Sequence, residues 1–152
     1  MKRMLILFVL IFSFAIAEED IHKFNMRTLD DGARSALVYA DNNKAFLRIN
    51  LTKNGNFYFD IKNGIYGHYD AEVEVEVTDS EGMTMYLTGY PAERGIGLLV
   101  PGNSALEKMF SQNDVLTISF RNRDYTPFSY TFQTWNFDEV REQLEKPKII
   151  IE

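Results

Sequence analysis

Two histidines, three evenly spaced glutamates and no cysteine are what this chain offers for chemistry. Absence of cysteine removes thiolate zinc sites, thiol nucleophiles and redox exchange. His22 and His68 stand far apart, and neither belongs to a His-x-x-x-His or Glu-x-x-His pattern that would hold a metal. No glycine-framed serine marks a nucleophile elbow, and no phosphate-cradling Gly-rich loop with its lysine occurs. The residues therefore point away from catalysis, with no cofactor and no metal expected.

Glu72, Glu74 and Glu76 alternate with Val73, Val75 and Val77. On a strand the carboxylates share one face, about 6.6 Å apart, too far to converge on an ion without loop oxygens. A solvated face or a lure for a basic partner fits better. Because like charges along one strand repel, a neighbouring strand is expected to bring Lys62 or Arg48 opposite them. Aromatics are the other candidates. Tyr66, His68 and Tyr69 lie in a glycine-bearing loop, and Tyr90 precedes Pro91 in another. Loop aromatics of this kind make contacts in binding surfaces, so Tyr66, His68, Tyr69 and Tyr90 are the candidate binding residues.

The elements that must position them follow a period of two. Strand-like segments are expected at 24–29, 35–40, 45–51, 57–61, 71–77, 83–88, 96–100, 115–121 and 128–134. Turn signals separate several of them, among them Asp30-Asp31-Gly32, Asn54-Gly55 and Ser80-Glu81-Gly82. Helical spacing replaces alternation twice. A helix ending at Gln112, capped by Asn103 or Ser104, carries Leu106, Met109 and Phe110. A second, over 136–144 and capped by Asn136, places Phe137, Val140 and Leu144 on one stripe. Pro147 stops it, and 148–152 is a tail or a last edge strand. The expected fold is all-β: an antiparallel β-sandwich of about eight strands with two short peripheral helices.

Lys2 and Arg3 followed by the apolar run 4–17, ending Ala15-Ile16-Ala17, form a signal peptide cleaved after Ala17. The run is too short to cross a bilayer, so no stable membrane anchor is expected after cleavage. The remaining 135 residues suit a single domain, 18–152, large enough to fold without disulfide staples. With Lys2 and Arg3 gone, 14 basic residues face 22 acidic ones, a net charge of −8. That balance opposes nucleic-acid binding and adhesion to anionic lipid.

The order of features in the second two-thirds resembles one family. Leu47-Arg48-Ile49 precedes the hairpin strand Phe57-Tyr58-Phe59-Asp60, and the alternating Val73 to Val77 strand leads through a polar hairpin to Tyr86-Leu87. A short helix around Leu106 and Met109 comes next, then Val115 to Phe120. Pro127 to Phe132 runs into the helix Asp138 to Leu144. Over about 45–144 this is similar to the TagO/VasI-type accessory proteins of type VI secretion, and more distantly to the invasion-associated IalB-type proteins. The resemblance implies an exported β-sandwich whose last strand runs into an amphipathic helix, and it carries no catalytic residue onto this chain. The expectation is a periplasmic or secreted bacterial protein that is not an enzyme and binds a protein or envelope component. A small-molecule or lipid carrier with an aromatic-lined cavity is the alternative, and a hydrolase the third.

Overall fold

The computed structural model describes residues 20–28, 32–63, 72–92, 97–121 and 125–146. Nine antiparallel strands and two helices run in the order β1 (Asn25–Thr28), β2 (Arg34–Tyr39), β3 (Phe46–Leu51), β4 (Phe57–Lys62), β5 (Val73–Asp79), β6 (Thr84–Ala92) and β7 (Gly97–Pro101). α1 (Ser104–Gln112), β8 (Val115–Arg121), β9 (Pro127–Gln133) and α2 (Phe137–Glu145) complete it. All nine expected strands are present, and the fold class is all-β. The expected signal segment and the tail 148–152 lie outside the described residues.

The strands form one sheet in the order β1-β2-β3-β4-β7-β6-β5-β8-β9. β6 is the corner. Thr84 to Gly89 pairs with β5, whereas Tyr90 to Ala92 pairs with β7. One layer therefore runs from β1 to β7 and the other from β5 to β9, with β6 shared. Gly89 is what lets β6 pass so close to its neighbour: a Cβ there would stand 2.9 Å from a Val75 methyl. β2, next to one edge of the sheet, comes close to β9 at the other, where the Asp41 amide just past β2 donates to the Thr131 carbonyl at 2.9 Å.

Local chemistry sets the hairpins. In the β3–β4 turn, the Thr52 amide donates to the Asn56 carbonyl and Gly55 takes φ +79°. The β5–β6 turn repeats the arrangement, with Asp79 bonded to Met83 and Gly82 at φ +85°. Each is a three-residue loop whose third position needs the left-handed region, which glycine supplies without steric cost.

Parity then divides core from surface. Leu47, Ile49, Phe59, Ile61, Val75, Val77, Leu98, Val100, Leu116, Ile118 and Phe132 are fully or almost fully buried and belong to a single core. The helices contribute to that core rather than merely flanking it. Phe110 of α1 and Phe137 of α2 pack on Phe57 with ring centroids 5.5 and 5.6 Å away, and on each other at 5.2 Å. Burying such a ring is worth about 2–3 kcal/mol, which holds both helices against the end of the core beside the β3–β4 hairpin.

Asn103 caps α1 as expected, its Oδ1 accepting from the Leu106 amide at 2.8 Å. Asn136 occupies the N-cap position of α2 but makes no side-chain cap bond. Its amide group instead clamps the backbone of Phe24, accepting from the N–H at 3.0 Å and donating to the C=O at 2.8 Å. The reason is burial. Phe24 and Asn136 are both inside, where an unpaired backbone group costs more than a loose helix end does.

Candidate binding face

Outward positions of the β1–β7 layer are unusual because several are polar and yet buried. The hairpin register pairs Arg48 with Asp60 and Asn50 with Tyr58. Arg48 donates twice to Asp60 Oδ2, from Nε at 2.9 Å and from a terminal nitrogen at 2.6 Å. Asn50 Nδ2 reaches the same oxygen at 3.4 Å. Asp60 and Asn50 are buried although their side chains point away from the core. Arg48 is therefore engaged by Asp60 rather than by the β5 glutamates.

Tyr58 and Leu99 flank this network, Tyr58 opposite Pro101 and Leu99 opposite Asp60. Burial pushes the Tyr58 hydroxyl above its ordinary range, the Asp60 charge pushes it further, and Arg48 opposes them. Beside these residues an open groove of about 770 Å³ runs between the β3–β4 hairpin, the end of β7 and the start of α1. Leu51, Phe57, Leu99 and Pro101 give it apolar walls, and Thr52, Asn56, Asn103 and Glu107 a polar rim. Gly102 makes the close approach at its base: its amide donates to the Phe57 carbonyl at 2.9 Å, and a Cβ there would stand 2.4 Å from the Phe57 ring.

Of the candidate binding residues, Tyr66, His68 and Tyr69 lie outside the described residues. Tyr90 is described, and it lies on a strand, not in a loop. β6 continues past Gly89, so Tyr90 pairs with Leu99, a groove residue, and stays 41% exposed. His22 sits with Nδ1 3.4 Å from the Tyr39 carbonyl, a backbone contact near the start of the sheet. Among the described residues no group of three or more His, Asp or Glu is placed to hold a metal ion.

The expected Lys62 and Arg48 do not stand opposite Glu74 and Glu76. Glu74 pairs with Thr88, and Glu76 with Tyr86 and Ser119. Strand order explains this: Arg48 and Lys62 belong to β3 and β4, which the sheet keeps away from β5. Arg121 instead follows the Val75↔Phe120 pair and so comes beside Glu74.

The polar network and the groove were missed in the sequence because they depend on register. One signal was available: Arg48 is the one charge of β3 and Asp60 the one acid of β4, on two strands joined by an Asn-Gly turn. A two-residue turn centred on Asn54-Gly55 would have set Arg48 opposite Ile61. The three-residue loop sets it opposite Asp60.

No family model matches this chain, and no curated protein matches it. Among solved structures, the crystal structure of invasion-associated protein B from Bartonella henselae is similar, with a TM-score of 0.60 over 80% of this chain and 90% of that one. Identity is 9%, so the likeness is one of fold: the chain has an IalB-like β fold.

Proposed function

We propose that this chain is an exported, non-enzymatic envelope protein that binds a segment of another protein in the groove beside Tyr58 and Leu99. The observation that carries the reading is the groove itself: about 770 Å³, open, with apolar walls and a polar rim. An open trough of this size accommodates an extended segment, and half-buried Tyr58 with exposed Tyr90 supplies aromatic contact area of the kind that anchors interfaces. Export is supported by the leader-like 1–17 and by the fold shared with an invasion-associated protein. Among the described residues, no helix is long and apolar enough to cross a membrane. A secretion-accessory role, as the TagO/VasI resemblance implies, is one setting in which such a module works.

The test replaces Leu99 by Arg and Tyr58 by Ala in the mature chain and compares capture from an envelope extract of the source cell. Both variants are expected to lose a partner that the unaltered chain retains, while circular dichroism keeps the β signature. Equal capture by folded variants overturns the groove as the binding site. The apolar walls also suit a lipid or small molecule, since the volume falls in the usual range for ligand sites. Mass spectrometry of organic extracts of the purified protein distinguishes that carrier reading. N-terminal sequencing of the exported form is expected to begin at Glu18.

A further inference from the structure

The outer face of the β5–β9 layer carries a different chemistry, independent of the groove. Its residues fall in rows across four strands. Thr84, Thr78, Thr117 and Thr131 form one, and Tyr86, Glu76, Ser119 and Ser129 the next. Hydroxyls within them are paired: Thr78 with Thr84 at 2.9 Å, Thr117 with Thr131 at 3.2 Å, Ser119 with Ser129 at 2.9 Å. Strand spacing sets the array at about 4.8 Å across and about 6.7 Å along.

Hydroxyl pairs alone serve as cross-strand glue. Tyr86 has no such role. It is 62% exposed on β6, the outermost strand of this layer, where it stands opposite Glu76. It borders a shallow depression of about 320 Å³ lined also by Glu72, Val73, Glu74, Leu87 and Thr88.

We propose that this face binds a neutral oligosaccharide. A pyranose ring presents an apolar C–H face and a rim of hydroxyls. Tyr86 offers a flat π surface for the first. Glu74, Glu76 and Thr88, which the register places beside that ring, offer acceptors and a donor for the second. The carboxylates turn away nucleic acid and anionic lipid. A depression this shallow, with a single exposed ring bordering it, takes a sugar or two rather than the apolar core of a folded partner.

The test titrates the mature chain, residues 18–152, with chitotriose, cellotriose and maltotriose, following backbone amide shifts and heat. At least one triose is expected to bind saturably, with shifts on β5 and β6. Tyr86→Ala is expected to weaken it about tenfold or more, equivalent to about 1.4 kcal/mol. Tyr86→Phe keeps the ring and retains binding, and Leu99→Arg in the groove leaves it unchanged. Melting temperatures close to that of the unaltered chain show that the Tyr86 variants are folded. No saturable binding of any triose, or undiminished binding by folded Tyr86→Ala, overturns the proposal. So does binding of pentalysine alone, lost in Glu74→Gln, which assigns the face to a cationic partner.

Discussion

Both layers place carboxylates on outward strand positions, and the two treat them in opposite ways. In the β1–β7 layer Asp60 is buried and held by two bonds from Arg48 and one from Asn50. In the β5–β9 layer Glu72 and Glu74 are exposed and Glu76 half-buried, with Thr88 and Arg121 beside Glu74 and Tyr86 and Ser119 beside Glu76. The first arrangement is a structural commitment, since a buried charge has to keep its partner. The second leaves the carboxylates in water, where mutual repulsion is screened and side chains stay available. Buried polarity on an outer face thus marks where charges are spent on the fold itself, and exposed polarity where they face solvent.

Arg48→Met gives the largest expected effect. It leaves Asp60 buried without its cation and should cost about 3 kcal/mol or more in denaturant unfolding. Arg48→Met with Asp60→Leu should recover much of that loss, because the pair is then replaced by apolar contacts rather than broken. A double variant no better than the single one would show that the network orders more than its own charges.

Gly89→Ala probes the corner where the layers part. The added methyl meets Val75 at 2.9 Å, and stability should fall by about 1–3 kcal/mol. Thermal melts of Gly89→Ala and Val75→Ala, alone and combined, check this. Partial rescue of the glycine variant by the smaller neighbour identifies the contact as the cause.

Glu74→Gln and Glu76→Gln should each change stability by no more than about 0.5 kcal/mol. A loss comparable to that of Arg48→Met would mean that the β5 carboxylates are structural after all, and the contrast between layers would collapse.

The smallest effect concerns pH. Tyr58 has its folded-state pKa raised above the ordinary value of 10.0, first by burial and then by Asp60. Burial likewise raises Tyr130, whose hydroxyl is hydrogen-bonded to the Asn63 side chain. A raised phenol binds its proton more tightly in the folded state, so the stability it contributes is full below pH 10 and is lost as pH rises through the folded value. Alkaline unfolding should therefore begin above pH 10 and move upward in Tyr58→Phe. A midpoint that stays in place would show that the Tyr58 environment does not disfavour its ionised form.

Much of the fold was legible, and the particular residues say why. Val73, Val75 and Val77 alternate with glutamates, so period and face follow from sequence alone. Asn103 sits three residues before Leu106, close enough for its side chain to find the helix amide locally. Asn136 shows the limit of that reasoning. By type and place it is a cap, yet its partner is Phe24, 112 residues away. Tyr90 shows another: Pro91 suggested a loop, but β6 continues because β7 is there to pair with it. For the candidate site, Tyr90 alone of the proposed residues was located, and the groove beside it could not be read before the chain was folded.

The sequence by itself determined where strands and turns fall and which strand residues alternate between core and surface, because these depend on a period of two and on glycine at left-handed turn positions within a few residues. Only the tertiary structure decided which outward charge received a partner. Opposition across a sheet is set by strand order and register, and a one-residue difference in the β3–β4 loop is enough to place Arg48 against Asp60 or against Ile61.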